Sequence, residues 1–102
     1  MSITFSKRDT RSYAERLTGK IYKILPICET NLNTKDTYIE SLIFELLGGF
    51  DTLHESFNRT EYMSVINTLS ELRNVDYDPV IYRREVFKCI RIVQKVGGLI
   101  ES

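Results

Sequence analysis

A chain of 102 residues, 42% hydrophobic and 27% charged, has the make-up of one ordinary globular domain, which excludes a disordered polyampholyte and a miniprotein that needs disulfides or metal to fold. Its 14 basic and 14 acidic groups cancel, and an isoelectric point near 6.6 is not that of a typical nucleic-acid binder. No run approaches the ~18 apolar residues of a membrane-spanning helix, and the first residues carry no apolar stretch of the secretory kind, so the expected location is cytoplasmic.

The balanced total conceals a segregated charge. Residues 1–25 hold six basic and two acidic groups, residues 26–78 three basic and ten acidic, and residues 79–102 five basic and two acidic. The chain is basic at both ends and acidic in the middle, a pattern that favours association between unlike surfaces.

Met1 to Phe5 are β-prone without an evident partner strand and are expected to fray. A first helix is predicted over 7–25, opened by Ser6 or Asp9, with Tyr13, Ala14, Leu17, Ile21, Ile24 and Leu25 at helical spacing and Pro26 ending it. Arg16, Lys20 and Lys23 share one flank of it, and Tyr22 points away from the core. Residues 27–33 read as a connector, because Thr30, Asn31 and Asn33 favour turns. A second helix is predicted over 34–47, from Tyr38, Ile39, Leu42, Ile43, Leu46 and Leu47 to a stop at Gly48-Gly49. Its apolar arc covers about half the circumference, which makes it either the most buried element or one that meets another subunit.

Phe50, Leu53 and Phe57 predict a short extra helical turn between the second and third helices. The third helix is expected over 59–73, started by an Asn58-x-x-Glu61 capping box and carrying a narrow stripe of Tyr62, Val65, Ile66, Leu69 and Leu72. A polar NVDYD turn leads to the last helix, 79–96. Asp78 is its N-cap, Pro79 its first residue and Gly97-Gly98 its stop, with Leu99 and Ile100 placed to fold back. Tyr82, Val86, Cys89, Ile90 and Val93 form its core face, while Arg84, Lys88, Arg91 and Lys95 lie opposite. The fold expected is all-α: a single compact domain over 1–102, four helices in a bundle or helical array.

Chemistry-bearing residues are few. His54 is the only histidine and falls in a loop. Cys28 and Cys89 lack C-x-x-C spacing and sit among apolar neighbours, which suits buried, reduced thiols. Both glycine pairs follow helices, the wrong end for holding phosphate. Asn58-Arg59-Thr60 matches a glycosylation pattern but serves better as a helix start. No catalytic, metal or cofactor site, no small-molecule substrate and no membrane contact are expected, so the chain reads as a non-enzyme. A thiol enzyme would need His54 within hydrogen-bond reach of Cys28 or Cys89.

The residues that point outward are more informative. Arg84, Lys88, Arg91 and Lys95, with Arg16, Lys20 and Lys23, are the candidate contacts to a macromolecular partner or to phosphate. The acidic groups that could instead neutralise the stripe are Glu40, Glu45 and Glu71. Phe44, Leu47, Ile81, Phe87 and Ile92, with Val80 and Tyr22 nearby, exceed what one core can bury and are the candidate oligomer interface, a homodimer being the expected form. The expectation is a small regulatory interaction protein, self-associating and binding another macromolecule through charged helix faces. The alternative is a small nucleic-acid-binding regulator that lays the last helix's basic stripe on phosphates.

Overall fold

A computed structural model describes the backbone over residues 7–53 and 59–96 and the side-chain surroundings over 11–48 and 60–96. The described residues are helical throughout apart from short connections, without a strand: α1 (Lys7–Tyr22), α2 (Ile24–Thr30), a single 3-10 turn (Leu32–Thr34), α3 (Lys35–Leu53), α4 (Arg59–Asn74) and α5 (Pro79–Val96). Four long helices build one all-α domain, and the short α2 extends the first of them. His54 and Asn58, Ser6 and the first five residues, Phe57, the Gly97-Gly98 stop and Leu99 and Ile100 lie outside the described residues.

α5 follows from its sequence without adjustment. The Asp78 carboxylate accepts hydrogen bonds from the Val80 and Ile81 amides at 2.9 and 3.1 Å, satisfying two of the first-turn donors that have no partner within the helix. Tyr82, Val86, Cys89, Ile90 and Val93 are all buried, as the 3.6-residue period requires.

Two expected boundaries are corrected. Pro26 does not end the first helix. It sits in the first turn of α2, where a proline's missing N–H costs no intrahelical bond. Lys23, at the junction, keeps right-handed angles (φ −61°, ψ −17°), and the ladder continues across it from Lys23 N–H to Gly19 C=O at 3.1 Å and Ile27 N–H to Lys23 C=O at 3.2 Å. The Tyr22 carbonyl loses the donor four residues on, because that residue is Pro26, and the Lys20 carbonyl accepts from the Tyr38 hydroxyl, so a kink replaces a stop. The short α2 is thus an additional helical segment after the first long helix, while the turn expected from Phe50, Leu53 and Phe57 begins within α3 and otherwise lies outside the described residues. Ile24 and Cys28, both buried, anchor α2 to the core.

Nor does Gly48-Gly49 stop the second long helix, α3, which runs on to Leu53. Glycine terminates helices by adopting left-handed angles, and Gly48 does not adopt them. A Cβ built on Gly48, or on Gly19 in α1, meets nothing within 4 Å. Gly48→Ala and Gly19→Ala are each expected to raise stability by about 1 kcal/mol, by restricting the unfolded chain, measured by urea denaturation. A loss of stability would mean these positions are not helical.

α3 packs beside α4, α4 beside α5 and α5 beside α1, so α3 and α5 stand diagonally across the bundle and meet only where Lys35, at the start of α3, reaches Tyr82 of α5. α1 meets α3 largely through side chains: Lys20 pairs with Glu45 at 2.8 Å, and the Tyr38 hydroxyl donates to the Lys20 carbonyl at 2.6 Å. The core between them is Ala14, Leu17 and Ile21 from α1, Ile39, Leu42 and Leu46 from α3, Tyr62, Val65, Leu69 and Leu72 from α4, and the buried face of α5. Each large apolar side chain removed from water contributes about 1.5–3 kcal/mol toward offsetting the ordering of the chain.

One polar cluster lies within this core. Lys35, the first residue of α3, is 8% exposed. Its ammonium donates to the Val75 carbonyl at 3.1 Å, to the Tyr82 hydroxyl at 2.8 Å and, at 3.4 Å, to the Leu72 and Arg73 carbonyls. Asp36 lies 2.9 Å away on its outer side. The Tyr82 hydroxyl in turn donates to the carbonyls of Leu72 and Val75. One amine and one phenol thus satisfy the carbonyls at the C-terminal end of α4, which have no intrahelical partner and carry the negative end of the helix dipole.

Candidate interaction surface

The seven basic residues expected to form a binding surface fall into two groups on different sides of the bundle. On α1, the flank carrying Arg16 and Lys20 turns toward α3. Lys20 is neutralised there by Glu45, and the Arg16 guanidinium lies over the Tyr13 ring, 5.8 Å from its centroid. The opposite flank of α1 faces α5, where the Tyr22 ring meets Phe87 edge-on at 6.1 Å. Arg16 and Lys20 therefore do not join the α5 stripe, and Lys23 is exposed at the junction of α1 and α2.

Within the stripe the four cations differ. Lys95 is 3.3 Å from Glu61 on α4. Arg84 touches its own neighbour Glu85 at 3.3 Å, but its side chain is 68% exposed, and so open a pair is worth under about 1 kcal/mol and readily exchanges. Lys88 and Arg91 have no ion-pair partner among the described residues. Glu40, Glu45 and Glu71 do not neutralise the stripe: Glu40 lies 4.0 Å from Arg73 and Glu45 holds Lys20, while Glu71 lines the α4 side of a shallow depression that also includes Lys88.

Arg84, Phe87, Lys88 and Arg91 line one shallow surface depression together with Ile90 and Gln94. It continues toward the start of α5 through Pro79, Val80 and Arg83. Val80 is 73% exposed and Phe87 44%. Beside Phe87 a cleft of about 270 Å³ opens against α2, lined by Tyr22, Pro26, Glu29, Tyr77 and Arg83 among others. The outer face of α5 thus has an apolar centre rimmed by cations, the layout of an interface that buries its middle and keeps charge at its edge.

Arg83, absent from the expected stripe because its helical angle places it nearer the core side, also lines this surface, its length carrying the guanidinium to the rim. Of the five proposed interface residues, Ile92 is half-buried against the core, so packing within the chain accounts for it. Phe44, Leu47, Ile81 and Phe87 are exposed.

The thiols take no part in this surface. Burial raises the Cys28 pKa, and burial with Glu85 nearby pushes that of Cys89 up to about 12. Both are free and buried, hence protonated and poorly nucleophilic near neutral pH. Burial raises the pKa values of Tyr13 and Tyr62, and the Tyr62 hydroxyl donates to the Leu46 carbonyl at 2.7 Å. No group of three or more metal-ligating side chains occurs among the described residues, and no described helix is long and apolar enough to cross a membrane.

What fold and surface define together is an all-α single-domain protein with an exposed basic and apolar helix face. No protein family, curated protein or solved structure matches the chain.

Proposed function

We propose that this is a non-enzymatic interaction protein that captures a macromolecular partner through the outer face of α5. The observation that carries the reading is the exposure of Val80 and Phe87 between Arg84, Lys88 and Arg91 on one surface. Val80 and the open part of Phe87 leave apolar area in water that the core face of the helix does not use, and a partner that covers it gains that burial. The cations at the rim steer an acidic partner and fix its register.

Charge reversal at three positions, Arg84→Glu, Lys88→Glu and Arg91→Glu together, is expected to abolish partner capture while leaving the helical circular dichroism unchanged. Capture is scored as proteins from an extract of the source cells retained by the immobilised wild-type chain and lost with the variant. Undiminished capture by a folded variant overturns the proposal.

A second reading has its own support: Lys88 and Arg91 are unneutralised, and the exposed rings of Tyr22 and Phe87 lie alongside them. Such an arrangement suits a single-stranded nucleic acid, with phosphates on the cations and bases on the rings. That reading requires retardation of single-stranded DNA or RNA at low salt, falling steeply as salt rises. A chain that leaves both unretarded rejects it.

A further inference from the structure

Resting on the α5 reading above, we propose that the partner of the α5 face is the outer face of α3 on a second copy of this chain, so that copies associate head to tail. The two most exposed large apolar residues among those described are Val80, at 73%, and Phe44, at 67%. They belong to α5 and α3, the two helices that stand diagonally across the bundle. Leu47, 48% exposed, lies one turn beyond Phe44 on the same side of α3. Two open apolar faces on opposite sides of one bundle cannot both enter a single two-fold contact, in which one patch meets its own copy. They can meet each other, α5 of one copy on α3 of the next.

The spacing and charge of the two faces agree with this. Along α5 the outward positions Val80, Arg84, Phe87, Arg91 and Gln94 recur at intervals of four and three residues, the seam that lets one helix lie along another with side chains interlocked. Along α3 the outward positions Thr37, Glu40, Phe44 and Leu47 recur at intervals of three and four. The α5 seam sets arginines beside its apolar residues, and the α3 seam sets a glutamate beside its own. Pairing α5 with α5 would oppose Arg84, Lys88 and Arg91 to the same cations, which like charge disfavours. Pairing α5 with α3 brings those cations to Glu40, whose present contact with Arg73 is long, at 4.0 Å, and weak.

The geometry has a consequence for stoichiometry. Each contact uses the α5 face of one copy and the α3 face of another, so every pair leaves one free face of each kind, and growth continues until a ring closes. α5 extends about 27 Å, and one helix seam covers less than the roughly 1,600 Å² of a standard stable interface. Association is therefore weak and concentration-dependent.

Sedimentation equilibrium of the full chain over rising concentration tests this directly. The wild type is expected to exceed the dimer mass. Phe44→Arg and Phe87→Arg, both at exposed positions, should each be monomeric with unchanged helicity. Mixed in equal amounts they should form a one-to-one dimer and nothing larger, because the Phe44→Arg copy keeps its α5 face, the Phe87→Arg copy keeps its α3 face, and the two spoiled faces repel.

A wild-type mass that stops at the dimer, or variants that stay monomeric on mixing, overturns head-to-tail association. A wild type that stays monomeric throughout, with capture of another protein still lost on α5 charge reversal, overturns self-association and leaves the α5 surface standing. Capture that survives charge reversal removes that surface as well.

Discussion

Lys35→Met is expected to lower the unfolding free energy by about 3 kcal/mol and the melting temperature by on the order of 15 °C. Methionine matches the length of the lysine stem and is apolar, so packing is nearly conserved and the effect isolates the ammonium. Its removal leaves the Arg73 carbonyl without that donor, and the Leu72 and Val75 carbonyls must share the single proton of Tyr82. Asp36→Asn, which alters only the outer, largely exposed partner (63% side-chain exposure), should cost under about 1 kcal/mol. Urea denaturation followed by far-ultraviolet circular dichroism measures both. A Lys35→Met cost no larger than that of Asp36→Asn would show that the amine does not cap α4. Tyr82→Phe combined with Lys35→Met should cost less than the two single changes added together, since both act on the same carbonyls.

Alkali is expected to unfold the chain cooperatively. Burial alone would lower the Lys35 pKa, but its hydrogen bonds to Tyr82 and Asp36 outweigh burial and leave it raised above 10.5. That contribution is complete below the unfolded value and is lost as pH rises through the folded one. Burial raises Tyr13, Tyr62 and Tyr82 above 10.0 and Cys89 from 9.0 to about 12. For these acids the fold holds the neutral form. Their contribution is also complete below the unfolded value, and it declines once the unfolded chain begins to ionise. All these groups push the same way, so stability should fall steadily from about pH 9 upward. Cys89 alone accounts for about 4 kcal/mol by pH 12. Denaturant midpoints measured across that range test the sign: a midpoint flat from pH 9 to 11 would contradict the buried positions of these groups. Cys89→Ala should blunt the decline while losing a little packing.

The start and the buried face of the last helix were legible because their determinants are local. Asp78, Pro79 and the apolar spacing of Tyr82 to Val93 lie within one segment, and cap and period agree. Pro26 and Gly48 misled for the same physical reason. Each residue tolerates a helical role as well as a terminating one, and the choice rests on what the neighbouring core rewards. Ile24 and Cys28 reach the core only if the chain stays helical past the kink, and Leu46 is buried on α3 just before the glycines.

Lys35 looked like one charge among many, because its carbonyl partners are 37 to 40 residues away in the chain and no local pattern marks a cap supplied from another helix. The chain by itself determined the all-α class, the four long helices, the buried faces and the surplus of outward apolar residues, since helical period and hydrophobicity are properties of single segments. Only the tertiary structure decided which of those outward residues share a surface. Neutralisation of Lys20 and Lys95, separation of the α1 cations from those of α5, and placement of Phe44 and Phe87 on opposite sides all depend on the order in which helices pack round the core.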